Sequence, residues 1–366
     1  MKKLKLAIVG LGVMGCNHLR VLNEMENVEV VAICDVDKER LKKLKRLYKI
    51  KKVHVDVVEM LKSESLDGLI VSAPTVSHYD LAKLAIHFNI PVLIEKPLAL
   101  EINQGQEIVK EAKNKGLLVF VGYVERFNPT VLRMKELIEQ EICGKPLHIN
   151  LSRVNHFPLR MAKRHIGVVT DLSTHDTDLI QYITGKKIVN LMAKLKFDGG
   201  HDVYANVQFE LEDQITAICE WSWISAYRRR ILEVVCEKGT LVGDLAKQIL
   251  YFHENPVNLS NQPAERSLNF LEALEFGNLS GKMTQYVLKK EEPLRLELQK
   301  FVATIVNKEN YDSQYAVQVI EIMEAIYKSS EQDQIVRIDN TNKKGKTENL
   351  IEDYNSIHPK INDHNI

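Results

Sequence analysis

The sequence predicts an α/β protein, with a doubly wound parallel sheet at the N-terminus followed by a second α/β domain that carries a large open, mainly antiparallel sheet. Three observations carry this. A glycine-rich turn, Gly10-Leu11-Gly12-Val13-Met14-Gly15, follows the apolar run Leu6-Ala7-Ile8-Val9 and opens a helix-patterned segment, Asn17 to Met25. Short runs apolar on both faces then alternate with helical patterns, as strands buried in a parallel sheet do. Beyond Pro129 the rhythm changes, and strand-patterned segments follow one another without helices between them, which is the sign of antiparallel sheet.

In order, the second apolar run Val30 to Cys34 ends in Asp35, roughly twenty residues past the glycines. Lys38 to Leu47 puts Leu41, Leu44 and Leu47 on one face of a surface helix. Strands follow at Gly68 to Val71, Val92 to Ile94 and Leu118 to Val121, separated by helices from Tyr79 to His87 and Ile102 to Asn114. The glycine spacing belongs to a Rossmann dinucleotide site. Gly10 permits the turn, Gly12 lets backbone approach a pyrophosphate, and Gly15 packs the helix on its strand. The helix N-terminus, at Val13 and Met14, then faces the phosphates with unpaired N–H groups. Asp35 can accept both hydroxyls of an adenosine ribose and repels a 2′-phosphate, which selects NAD; Lys38 and Arg40 leave NADP open.

Ligands of such sheets lie outside the carboxyl ends of the strands. The site candidates are therefore Ser72, Ala73, Pro74, Thr75 and His78 after the fourth strand, Glu95 and Lys96 after the fifth, and Tyr123 and Arg126 after the sixth. The first domain spans 1–123. The second, 124–338, opens with a helix from Thr130 to Gln140 and a strand from Leu147 to Val154. A basic stretch with Arg153, Arg160, Lys163 and Arg164 leads to Asp171, and strands follow at Tyr204 to Leu211, Thr216 to Trp223, Ile231 to Cys236 and Gln248 to His253. Asn255 to Ser280 reads as a surface insertion before the strand Met283 to Leu288. Helices from Leu294 to Asn307 and Ser313 to Ser329 precede an edge strand at Ile335 to Ile338. Residues 339–366 form a polar tail too poor in apolar residues to bury a core.

The 366 residues are 45% hydrophobic and 27% charged, with 49 basic and 49 acidic side chains. That balance suits a soluble globular protein with small-molecule partners and argues against nucleic-acid or membrane surfaces. Five scattered cysteines without a C-x-x-C pair read as reduced core thiols, and no apolar run reaches a membrane span, so a cytoplasmic protein is expected.

With Gly10 to Gly15, Asp35, Glu95-Lys96-Pro97 and the segment Asp171-Leu172-Ser173-Thr174-His175 in order, the chain resembles the Gfo/Idh/MocA oxidoreductase family from residue 4 to about 338. Within it, Tyr123 to Pro129, Gly167 to Leu179 and Trp223 to Gly243 are most similar to UDP-N-acetylglucosamine 3-dehydrogenases. The resemblance implies oxidation of a secondary alcohol of a sugar or cyclitol with NAD, Lys96, Asp171 and His175 as catalytic residues, and a homodimer or homotetramer built through the C-terminal sheet. The tail after Asp339 has no counterpart in that resemblance.

The residues support the same chemistry. His175 has the ordinary pKa of a general base, Asp171 four residues earlier is expected to orient its imidazole, and Lys96 can favour an alkoxide. Tyr123, Arg126, Arg153 and Arg160 complete the expected substrate contacts beside Lys96 and His175, with Arg153 and Arg160 meeting a diphosphate. A zinc reading of Asp171, His175 and Asp178 lacks a further ligand at a recognisable spacing, and no metal is expected. Trp221, Trp223, Tyr227 and Arg228-Arg229-Arg230 read as sheet packing at a subunit contact, with phosphate binding as the other reading. A dehydrogenase of a free polyol such as myo-inositol, and a catalytically inactive dinucleotide-binding regulator, are the alternatives.

Overall fold

A computed structural model describes residues 3–156, 166–255 and 281–338. The loop candidates Arg160, Lys163 and Arg164, nearly all of the insertion and the tail lie outside the described residues. The first sheet contains β1 (Leu4–Val9), β2 (Val28–Cys34), β3 (Lys52–His54), β4 (Gly68–Val71), β5 (Val92–Glu95) and β6 (Val119–Gly122), all parallel in the order β3-β2-β1-β4-β5-β6. Every residue of β4, β5 and β6 is buried, because helices cover both faces. Helices α1 (Val13–Asn23), α2 (Lys38–Tyr48), α3 (Val57–Ser63), α4 (His78–His87) and α5 (Ile102–Lys115) link the strands. Asp37 caps α2 by accepting the Arg40 N–H at 2.9 Å. Leu41 and Leu44 face the core as the spacing predicts, but Leu47 is 63% exposed at the end of α2.

The second sheet has nine strands: β7 (Pro146–His156), β8 (Ile188–Asp198), β9 (His201–Leu211), β10 (Thr216–Ser222), β11 (Ile224–Cys236), β12 (Gly239–Asp244), β13 (Ile249–Glu254), β14 (Met283–Tyr286) and β15 (Val336–Arg337). Their order is β14-β13-β12-β11-β7-β10-β9-β8-β15, antiparallel throughout except for the parallel pair β7/β10. Alternation divides the two faces. On β9 and β10, Ala205, Val207, Phe209, Ala217, Cys219 and Trp221 are buried, while Asn206, Gln208, Glu210, Thr216 and Glu220 lie on the more open face. Four more helices follow in the chain: α6 (Pro129–Glu139), α7 (Thr174–Thr184), α8 (Pro293–Asn307) and α9 (Gln314–Gln332).

Chain order and spatial order differ at α8. Its Leu294, Leu298, Phe301 and Val302 share a core with Leu6, Ile8, Leu19, Ile70, Leu93 and Phe120 of the first sheet and α1, so a late helix closes the N-terminal layer. Helix α9 packs against β8, α5 and α7 and ties the two sheets' helices together. Among the described residues no helix is long and apolar enough to cross a membrane.

Within the α8 core sits Glu297, fully buried, with neither carboxyl oxygen hydrogen-bonded among the described residues. Burial, and then the charge of Glu95, push its pKa well above the ordinary carboxyl value, so it is held neutral. A raised folded pKa gives stability that is complete below the unfolded carboxyl pKa and is lost as pH rises through the folded one. Glu297→Gln is therefore expected to raise Tm at pH 8 by more than at pH 5. Equal shifts at both pH values would show that Glu297 does not titrate against folding.

Candidate active site

The glycine turn is built as its spacing requires. Gly10 has φ +84°, and a Cβ there would lie 2.4 Å from the Ala73 nitrogen; at Gly15 it would lie 1.9 Å from the Gly10 carbonyl oxygen. A Cβ on Gly12 would meet nothing within 4 Å, which leaves room for a ligand to approach the backbone. No side chain caps α1, and its first turn holds no acid, so its N-terminus remains available to phosphates.

Asp35 follows β2 directly, against this turn. Its carboxylate accepts the Leu11 N–H at 2.6 Å and the Asp37 N–H at 2.9 Å, and Arg40 stands 3.3 Å away. These residues fit NAD, because two carboxylate oxygens offer about four acceptor positions and only part of them is used. NAD⁺ is expected to bind more tightly than NADP⁺. Asp35→Ser should narrow the ratio about tenfold or more, the scale of a lost charge-assisted hydrogen bond. Fluorescence titration of both cofactors measures this, and equal affinities in the unaltered protein would remove Asp35 from that role.

The loops after β4 and β5 are joined by His78. Its Nδ1 lies 2.7 Å from the Pro97 carbonyl and its Nε2 2.9 Å from the Ala73 carbonyl, so neither ring nitrogen is left for a cofactor. It belongs to the scaffold of the dinucleotide site rather than to its surface. Burial lowers its pKa against the pull of those two carbonyls. Ser72 donates to the Gly10 carbonyl at 2.9 Å and fastens the glycine turn to β4; Ala73, Pro74 and Thr75 continue from it along the same edge. Glu95 is buried against His18, with Oε1 2.8 Å from Nε2.

Lys96 begins a cis peptide to Pro97, and its side chain crosses to the second domain. Its Nζ donates to the Asp171 carbonyl at 2.7 Å and stands 3.5 Å from the Asp171 Oδ1. Residues Val169–Ser173 form a π-helical turn that runs into α7, a local widening that recurs at functional sites. The expected i, i+4 geometry is corrected there: Asp171 turns to Lys96, and no hydrogen bond joins it to His175. The His175 Nδ1 is buried without a hydrogen-bond partner among the described residues. Burial, then the charges of Lys96, Arg153 and Arg230, hold its pKa well below the ordinary value, so the imidazole is neutral.

Two expected substrate contacts, Arg153 and Arg126, are occupied by the protein itself, and a third, Tyr123, is buried. Arg153, on β7, gives Asp176 hydrogen bonds from Nε at 2.9 Å and Nη2 at 2.6 Å, and gives Glu125 one from Nη1 at 2.7 Å. Trp221 Nε1 donates to the other Asp176 oxygen at 2.7 Å. Burial pushes Asp176 up despite Arg153; burial also acts on Glu125, but Arg153 and Arg230 outweigh it and hold that carboxyl low. Arg126 forms a two-pronged pair with buried Asp178, with its Nε at 2.7 Å, and lies over the rings of Tyr315, Tyr182 and Tyr123 at 3.8, 4.9 and 5.6 Å. Tyr123 is buried beneath it, with a hydroxyl that has no hydrogen-bond partner among the described residues. A charged residue on a strand or turn looks the same in sequence whether it serves a ligand or a buried carboxylate.

A Rossmann sheet with a fitted dinucleotide turn and its own lysine, set beside an aspartate and a histidine from the following α/β domain, defines an oxidoreductase architecture. The family models agree: residues 4–123 match the Gfo/Idh/MocA "Oxidoreductase family, NAD-binding Rossmann fold", and residues 131–242 match the GFO/IDH/MocA C-terminal domain. The chain belongs to the Gfo/Idh/MocA family. It is 27% identical over 192 residues to a myo-inositol 2-dehydrogenase of Thermotoga maritima, covering 52% of this chain and 58% of that one. It is 25% identical over 253 residues to a D-apiose dehydrogenase of Paraburkholderia graminis, covering 66% and 67%. The chain thus spans under two thirds of the former's length. Among solved structures, UDP-N-acetylglucosamine 3-dehydrogenase GnnA from Acidithiobacillus ferrooxidans shares the fold with TM-score 0.77 at 18% identity, covering 91% and 99%. A scyllo-inositol dehydrogenase from Lactobacillus casei with bound NAD(H) and scyllo-inositol gives 0.74 at 20%, covering 92% and 99%.

Proposed function

We propose that the protein oxidises a secondary hydroxyl of a sugar with NAD, and that the sugar is a UDP-sugar such as UDP-N-acetylglucosamine, oxidised at C3. The meeting of Lys96 with Asp171 one helical turn before a neutral His175 carries this reading. When bound, NAD accepts the hydride. His175 takes the hydroxyl proton, and the Lys96 ammonium, anchored by the Asp171 carbonyl, stabilises the alkoxide that develops as the O–H bond breaks and that becomes the carbonyl as the hydride leaves. The nucleotide-sugar assignment rests on the subgroup resemblance; Arg160 remains its candidate phosphate contact.

A second reading, oxidation of a free polyol such as myo-inositol, is favoured by the inositol dehydrogenases among the curated relatives. NADH absorbance with a panel of UDP-sugars and free polyols separates the two. Turnover of myo-inositol or glucose without turnover of any UDP-sugar would overturn the nucleotide-sugar reading. The open face of the nine-stranded sheet is the proposed contact of a homodimer or homotetramer, and a monomer by light scattering would refute it. Five free cysteines, four of them buried, accord with a cytoplasmic protein.

A further inference from the structure

Three arginines, Arg126 on the turn after β6, Arg153 on β7 and Arg230 on β11, act on the carboxylates of α7 and Glu125, and they differ in how far their donors are used. Arg126 is committed to Asp178 and three aromatic rings, and Arg153 to Asp176 and Glu125. Arg230 is not. It pairs with Arg153 across β11 and β7, which puts both side chains on one face of the sheet. Its nearest carboxylate oxygen, Glu125 Oε1, stands 3.6 Å from Nη1 and is already held at 2.7 Å by Arg153. The side chain is 32% exposed, so the guanidinium is partly desolvated yet open to a ligand. Its neighbour Arg229 points the other way, donating to Ser152 and Glu220, so strand alternation divides the Arg228-Arg229-Arg230 run between the two faces.

We propose that Arg230 is the anion receptor of the active site, and that the sugar substrate carries a negative group, a diphosphate or a carboxylate, which its guanidinium grips. This rests on the dehydrogenase reading above. The Lys96 ammonium gives two of its three donors to Asp171 and keeps the third for the reacting hydroxyl, and Arg153 is spent on carboxylates, which leaves Arg230 as the guanidinium acting on His175 with unspent donors among the described residues. A guanidinium offers five N–H donors in a planar fork that matches carboxylate and phosphate oxygens. Burial, and then the charge of Arg153, depress its own pKa, which an incoming anion would relieve. If Arg230 only balanced the Glu125 and Asp176 charges, a closer approach to Glu125 would be expected.

The test compares the unaltered protein with Arg230→Gln and Arg230→Lys on UDP-N-acetylglucosamine, on glucuronic acid and on myo-inositol. Arg230→Gln should raise KM for whichever anionic substrate is used by about tenfold or more, with a smaller change in kcat, and leave the myo-inositol KM unmoved; Arg230→Lys should recover part of the loss. The first two arms tell a diphosphate from a carboxylate. Equal losses on charged and neutral substrates would mark a structural residue and overturn the proposal, as would no loss. Calorimetric binding of both anions to the NADH-loaded protein, unaltered and Arg230→Gln, decides the matter without turnover. Anion binding that weakens tenfold in a protein that oxidises nothing would support the receptor and sink the dehydrogenase reading. Turnover confined to neutral polyols, with no anion bound, would overturn the receptor and leave the dehydrogenase standing.

Discussion

His175→Ala is expected to lower kcat at least about 10²-fold and to leave NAD⁺ affinity nearly unchanged, the signature of a lost general base. Lys96→Ala should lose turnover on the same scale, with a cofactor penalty as well if the ammonium also meets the nicotinamide end. The pH profile adds a sharper check. The imidazole pKa is lowered by burial and by the surrounding cations, so the ring stays neutral as pH falls through its ordinary titration range. In the unaltered protein kcat/KM should therefore remain flat from pH 8 to below pH 6.5, the unperturbed histidine value, and fall only under more acid conditions. Near-normal turnover of His175→Ala would end the proposal, and an acid limb centred on 6.5 would mean that another group is titrating.

The parts of this fold that show in the sequence are those fixed by local chemistry. Gly10 and Gly15 announce a turn because only glycine satisfies the positive φ of the one and the close packing of the other, while Gly12 leaves the backbone open to a ligand, and doubly buried strands betray themselves as apolar runs. Strand β3 escaped because it has three residues, Lys52 to His54, on the sheet edge, and β12 because two of its six residues are glycines. The sequence brings Lys96 and Asp171 forward as motifs but not their contact, and the π turn at Val169–Ser173 that holds Asp171 leaves no mark in residue type. The roles of Arg126, Arg153 and Arg230 were least legible. What separates them is the distance to a carboxylate far away in the chain, and no spacing rule encodes that distance.

Arg153 makes the difference measurable. Its side chain lies in a buried network with Asp176, Glu125 and the Trp221 N–H, so Arg153→Met would strand two carboxylates that have little access to water. Removing one partner of a buried pair costs about 3–5 kcal/mol, because the remaining charge keeps its desolvation penalty without its counter-ion. A loss of that size is expected in urea unfolding. It should also depend on pH. Without the guanidinium, the folded pKa of Asp176 rises further above its unfolded value and Glu125 loses much of what holds it low; a group shifted upward contributes stability at low pH that is lost as pH increases, and a group no longer held low loses the stability it contributed at high pH. The deficit of Arg153→Met relative to the unaltered protein should accordingly be larger at pH 8 than at pH 5. Adding Asp176→Leu to Arg153→Met should return part of the stability, since one stranded charge is then replaced by packing, and the non-additivity of the pair measures their coupling. If Arg153 instead served the substrate alone, the single variant would raise KM with its unfolding midpoint unmoved, and the buried network would carry no energetic weight.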